Sequence, residues 1–211
     1  MAKVWSTFYP DVLPDLPGAP LPLVDHYLRN ATIEFCERSK AWVADLTVID
    51  AVAGQMEYAL PLPTGAELVE IKAALYLGEA ITPKTHDYLA DKYGDWQVEV
   101  GYPAHYTHQT TDEVLLVPAP TDAATGALKI KAAVRPSPTA ADVEDWFYSR
   151  YRLAIAAGCK ALMASMTDKP WTNADRAVIN AGMFDAAITK ATQAAAGGFT
   201  NARPRFSGSF V

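Results

Sequence analysis

The chain has 211 residues, half of them hydrophobic and a fifth charged, enough for one generous core or for a compact domain carrying a second small one. No apolar run approaches the roughly 20 residues that span a bilayer, which excludes a transmembrane helix. The net charge of −6 is uneven: residues 44–135 carry 13 acids against 6 bases, and residues 136–211 carry 6 against 8, so a general nucleic-acid binder, which needs a basic face, is excluded as well.

Residues 1–20 hold a single Lys, scattered Pro and no apolar h-region, so they do not read as a signal peptide. Pro10, Pro14, Pro17 and Pro20 predict an extended N-terminal arm. It is ordered by docking Trp5, Phe8 and Tyr9, either on its own domain or on a neighbouring subunit. Pro22 to Trp42 reads as the first helix, with Val24, Leu28, Ala31, Phe35 and Trp42 on one stripe.

Residues 44–135 change character. Leu46–Ile49 and Met56–Leu60 flank Ala53-Gly54-Gln55 as a predicted hairpin, and Leu68–Leu77 as a further strand. Thr85 to Tyr93 reads as a short helix ended by Gly94. Trp96–Val100, Val114–Val117 and Leu128–Val134 alternate as strands do. Six or seven short strands predict a small antiparallel sheet or barrel.

Thr139 to Met166 organises the rest. Thr139 with Asp142 reads as a capping box, and Asp142, Glu144 and Asp145 suit the helix dipole. About 27 helical residues make a rod of roughly 40 Å. Gly158, among Ala154, Ala157 and Ala161, costs about 1 kcal/mol of helix propensity and lets a second long helix come close. That helix starts at a second capping box, Thr172 with Asp175, and repeats Ala177, Ala181, Phe184, Ile188, Ala191 and Ala195 in a heptad-like seam. Gly197-Gly198 stops it. The tail beyond has no acid, two arginines and three phenylalanines, each phenylalanine worth about 1.5–3 kcal/mol if fully buried. It is built to dock.

The expected fold is therefore α+β: a long-helix bundle of three main helices (21–43 and 136–196), an inserted small antiparallel β domain (44–135), an extended N-terminal arm (1–20) and a C-terminal docking tail (197–211). Packing or interface positions are Phe147, Ile155, Gly158, Leu162, Phe184 and Ile188. Docking positions are Phe199, Arg203, Arg205, Phe206 and Phe210.

The sequence supports no active site, metal or cofactor. His105 and His108 lack a third ligand nearby and read as surface residues. Glu144 and Asp145, adjacent on a helix, do not face each other. Cys36 and Cys159 read as reduced core residues, and Cys159 lacks the electropositive exposure of a reactive thiol. Neither a P-loop, a G-x-G-x-x-G nor a G-x-S-x-G occurs.

The order Pro136-Ser137-Pro138, a helix with Ile155-Ala156-Ala157-Gly158-Cys159-Lys160-Ala161-Leu162, then Lys169-Pro170-Trp171-Thr172-Asn173 and a helix with Phe184 resembles tailed-bacteriophage head-to-tail adaptor (connector) proteins. The opening Pro20-Leu21-Pro22-Leu23-Val24-Asp25 is similar too. The resemblance implies a structural protein of the virion head-tail junction, made in the host cytoplasm and not membrane-bound. It implies a ring of identical subunits, commonly twelve, between the portal protein and a tail (nozzle or tube) protein. In such a ring the helices form the body, the C-terminal segment reaches the portal, and genomic DNA passes through the lumen without specific binding. Two other readings stand beside it. One is a carbohydrate- or receptor-binding tail module with Trp96, Tyr102 and Tyr106 as a platform. The other is a small hydrolase using Asp91, Asp95 and Glu99.

Overall fold

A short strand, β1 (Ala2–Val4), opens the chain, followed by a 3-10 turn (Trp5–Phe8), one α-helical turn, α1 (Tyr9–Val12), and a second 3-10 turn (Leu13–Asp15). The structure, a computed structural model, describes residues 2–108, 110 and 112–196. These fall into two compact units, one from residues 2–42 with 136–196 and one from within residues 43–135. The predicted extended arm is thus corrected to a run of short helical turns. Pro10 and Pro14 each occupy a first turn, where a missing N–H costs nothing. Trp5, Phe8, Val12 and Leu16 are buried. The Trp5 indole donates to the Ala140 carbonyl at 2.8 Å, and Arg29 Nε donates to the same oxygen at 3.0 Å.

Helix α2 (Leu21–Ser39) ends three residues earlier than expected, because Lys40 takes a left-handed conformation (φ 52°) and its N–H closes on Cys36 O at 2.8 Å. Trp42 lies beyond the helix but still packs on Phe147, with ring centroids 5.4 Å apart.

The second unit carries β2 (Val43–Asp45), β3 (Ile49–Ala51), β4 (Glu57–Ala59), β5 (Ala66–Tyr76), β6 (Glu79–Pro83), α3 (His86–Tyr93), β7 (Val100–Gly101), β8 (His105–Thr107), β9 (Glu113–Val117), β10 (Ala119–Pro120) and β11 (Ala124–Pro136). Its main sheet has eight strands in the order β2-β11-β5-β6-β8-β9-β4, with β3 also on β11. The β6–β8 pair is parallel. The expected small antiparallel insertion is therefore overturned: the sheet is large and mixed. The predicted hairpin fails too, since β3 pairs β11 and β4 pairs β9. Trp96–Val100 is mostly turn, with only Val100 in a strand.

Two local features explain how this sheet is drawn. In β11, Leu128, Ile130, Ala132 and Val134 point inward while Lys129 and Lys131 face water, the period-2 signature of a half-solvated strand. Register shifts between Ala124 and Leu128, where Gly126 (φ 62°) gives its N–H to Asp50 Oδ1 at 2.6 Å, as bulges demand. Helix α3 sits between Thr85, whose hydroxyl accepts from Tyr88 N–H, and Gly94 (φ 68°). Its Leu89 packs with Trp96, Leu115 and Val117.

The chain then forms β12 (Asp142–Glu144), α4 (Asp145–Ala164) and α5 (Ala174–Ala196). The capping box at Thr139 does not form. Asp142–Glu144 instead pair antiparallel with β1, Val4 opposite Asp142, and this shortens the organising helix to 20 residues. The cap of α5 is Asn173, whose Oδ1 accepts from Arg176 N–H at 2.9 Å, rather than Thr172, whose hydroxyl bonds Lys169 N–H and Met166 O. The architecture is thus five helices, one of a single turn, with a large mixed sheet among the described residues; it is not a bundle of three long helices with a small insertion. The helical core gathers Phe35 against Phe147, Tyr151 and Phe184, with centroids 6.0, 4.9 and 6.0 Å away.

Candidate functional site

Helix α5 is the element with the most unusual surface. One narrow stripe of it is buried: Phe184, Ile188 and Ala191, which face α4 and α2. Phe184 lies directly over Gly158, whose missing Cβ would stand 2.7 Å from a ring carbon. The buried stripe matches the 3.6-residue period of an amphipathic helix, but the other side is not polar. Val178, Ile179 and Met183 are 72, 61 and 59 % exposed. Gly182 and Ala186 complete that face, and nothing lies within 4 Å of where a Gly182 Cβ would be. Leaving these side chains in water forgoes their burial energy.

Arg38 reaches across from α2 to Asp185 at 2.6 Å and to Glu34 at 2.9 Å. Asp15 accepts from Lys160 (3.1 Å) and Arg176 (3.2 Å), tying the N-terminal turns to α4 and α5.

The positions singled out from the sequence separate cleanly. Phe147, Ile155, Phe184 and Ile188 are buried inside the helical unit, Gly158 lies beneath Phe184, and Leu162 is half-buried. Phe199, Arg203, Arg205, Phe206 and Phe210 lie outside the described residues. Trp96 and Tyr106 are buried whereas Tyr102 is exposed, edge-on to Tyr76 at 5.4 Å; the three make no shared platform. Asp91, Asp95 and Glu99 are exposed.

His105 departs from its reading as a surface residue. It is only 9 % exposed. Its Nδ1 lies 2.8 Å from Thr82 Oγ1, and Lys92 Nζ donates to its Nε2 at 3.0 Å. Burial, then the Lys92 and Lys84 charges, hold its pKa below the ordinary imidazole value. His108 is exposed. Glu144 accepts a short hydrogen bond from the Trp146 indole, and Asp145 pairs with Lys3 at 3.4 Å. Burial pushes the Cys159 thiol up to about 12 and the Cys36 thiol well above its usual value, which keeps both protonated and unreactive. The exposed face of α5 was legible only as a helix apolar on more than one side, a signal that does not tell which side the fold will cover.

Among the described residues α5 thus presents an exposed apolar face opposite its buried stripe. The chain belongs to the SU10 adaptor protein family, whose family model matches residues 6–205. It is thus a phage head-to-tail adaptor, a structural component of the virion. No curated protein matches the chain. Among the described residues no helix is long and apolar enough to cross a membrane.

Proposed function

We propose that identical copies of this chain close into a ring, commonly of twelve, between the portal protein and the tail nozzle or tube, and that the genome leaves the head through its lumen. The observation that carries the reading is the family match over residues 6–205. Closure of a cyclic ring needs two different complementary surfaces on each subunit, and the exposed face of α5 is a candidate for one of them.

In this reading residues 197–211 dock on the portal. Phe199, Phe206 and Phe210 fill apolar pockets, and Arg203 and Arg205 make forked contacts to carboxylates. The acid excess of residues 44–135 faces the channel, so that DNA phosphates slide past without sticking. The assembly is made in the host cytoplasm, and the genome passes through its lumen without specific binding.

Negative-stain images of the purified chain, alone and mixed with the cognate portal, test this. A ring coaxial with the portal is expected, and its loss when the chain ends at Ala196. Folded protein that stays monomeric in both samples overturns the ring, and normal assembly of the shortened chain overturns the tail contact.

A further inference from the structure

One spot on the acid-rich sheet unit is basic. Residues 44–135 hold 6 bases against 13 acids. Lys72, Lys131 and Arg135 pair with Glu70, Asp45 and Glu67 at 3.1, 3.2 and 2.8 Å. Lys84 and Lys92 pair with no carboxylate among the described residues. Lys84 Nζ stands 4.3 Å from the centroid of the Tyr88 ring, and Lys92 Nζ stands 4.8 Å from that of Tyr93 while donating to His105. Lys84 lies on the wall of an open cleft of about 530 Å³, together with Thr85, His86, Asp87, Thr107 and His108. Two polar groups on that wall are left without partners. Thr107 is only 6 % exposed, and its hydroxyl has no hydrogen bond among the described residues. His86 Nε2 is buried and likewise unbonded, its ring tilted against Trp96 with centroids 5.4 Å apart. Buried polar groups are nearly always satisfied in native proteins, so two orphans on one cleft wall point to a ligand that supplies the missing bonds. We infer that this cleft is a binding site for a carboxylate carried on a slender side chain, that is, for an acidic segment of a partner protein.

Each group on the wall suits a carboxylate. Lys84 supplies an unpaired charge, the Thr107 hydroxyl donates, and His86 Nε2 donates when it carries the ring proton. The cleft also borders the first turn of α3, where Thr85 accepts from Tyr88 N–H at 3.4 Å and the N–H groups of His86 and Asp87 stay open, a start that favours an anion. Among the described residues no group of three metal-ligating side chains is gathered, so the histidines here are not a metal set. Nucleic acid fits the cleft less well. Thr107 and His86 Nε2 lie below the surface, within reach of a side chain but not of a bulky phosphodiester chain. Asp87 at the cleft and Asp91 on α3 are exposed and add to the acid excess of the unit, which repels a polyanion along its whole length and a single carboxylate only once.

Trp96 reports on the cleft through its contact with His86, and it is the one tryptophan of the sheet unit. The full chain is labelled with fluorotryptophan, the Trp96 fluorine resonance is assigned with Trp96→Phe, and the peptide acetyl-Gly-Glu-Glu-Gly-amide is titrated in. A saturable shift of the Trp96 resonance alone is expected, with the tryptophans of the helical unit unmoved and no response to the same peptide carrying Gln for Glu. Lys84→Gln and Thr107→Val should each weaken binding about tenfold, the loss of one hydrogen bond to a charged group. Lys84 is half-buried with no ion pair to lose, so Lys84→Gln keeps the test open if Thr107→Val fails to fold. No response to the peptide overturns the inference, and so does equal affinity in the native chain and the folded variants. An equal or larger response to inorganic phosphate assigns a free-anion site, and one to a single-stranded oligonucleotide a nucleic-acid site; either overturns the peptide reading. All of these outcomes are read whether or not the chain closes into a ring, so the failure of one proposal is distinct from the failure of the other.

Discussion

Replacing Gly158 by alanine gives the sharpest test of how the helical unit is packed. In an exposed helix the change stabilises by about 1 kcal/mol, because alanine has the better propensity. Here the added Cβ would stand 2.7, 2.9 and 3.0 Å from three ring carbons of Phe184, against an ordinary carbon–carbon separation of about 3.5–4.0 Å. The ring must move by several tenths of an ångström or more. Its centroid lies 6.0 Å from that of Phe35, which limits its movement. A small cleft of about 170 Å³ beside it, lined by Ala161, Leu162 and Ala181 among others, gives partial relief. Overpacking costs about 1–3 kcal/mol, and the cleft favours the middle of that range. Subtracting the propensity gain leaves a net loss of about 1 kcal/mol. Urea denaturation followed by tryptophan fluorescence reads it, since Trp5, Trp42, Trp146 and Trp171 all belong to the helical unit. In a Phe184→Ala background the same substitution has room and is expected to stabilise by about 1 kcal/mol. The Phe184→Leu background serves if truncation to alanine, which costs about 3–5 kcal/mol, leaves too little folded protein. A Gly158→Ala that stabilises both the native chain and the truncated background would refute the close approach of α4 and α5.

Two further predictions concern the sheet unit. Because the folded pKa of His105 is depressed, the unfolded chain takes up the proton first as pH falls. Stability is therefore level above about pH 6.5 and declines below it, toward the depressed folded value. In thermal melts across that range, His105→Gln is expected to flatten the decline, and an unaltered slope would exclude His105 as its source. The second concerns DNA passage: phage carrying Asp91→Asn, Asp95→Asn and Glu99→Gln, all exposed positions, should eject DNA more slowly, with the defect fading as salt rises. Unchanged ejection would mean that these acids do not face the genome.

What the sequence made legible were the features fixed within a few residues of one another. Thr85 and Gly94 bracket α3 as expected, since a capping hydroxyl and a glycine stop act locally. The lysines at 129 and 131 alternating with Leu128, Ile130 and Ala132 gave β11 its inner and outer faces. Local signals failed where a distant partner outbid them. Thr139 and Asp142 have the spacing of a capping box, but Asp142–Glu144 gain a strand partner in Ala2–Val4, more than 130 residues away in sequence. Proline density in residues 1–20 argued correctly against a long helix and wrongly for an extended arm, because Pro10 and Pro14 fall in first turns.

The candidate surface failed for a deeper reason. Helix α5 carries two apolar stripes, one through Phe184, Ile188 and Ala191 and one through Ile179, Met183 and Ala186. Periodicity ranks neither above the other. Gly158 breaks the tie: with no Cβ it lets an aromatic ring come close to the α4 backbone, and Phe184 is the ring that does so. Once Phe184 is committed inward, Ile179 and Met183 must face outward by the geometry of the helix. The open face of α5 is therefore defined by what the core takes first, so it becomes visible only when the partner of Gly158 is known.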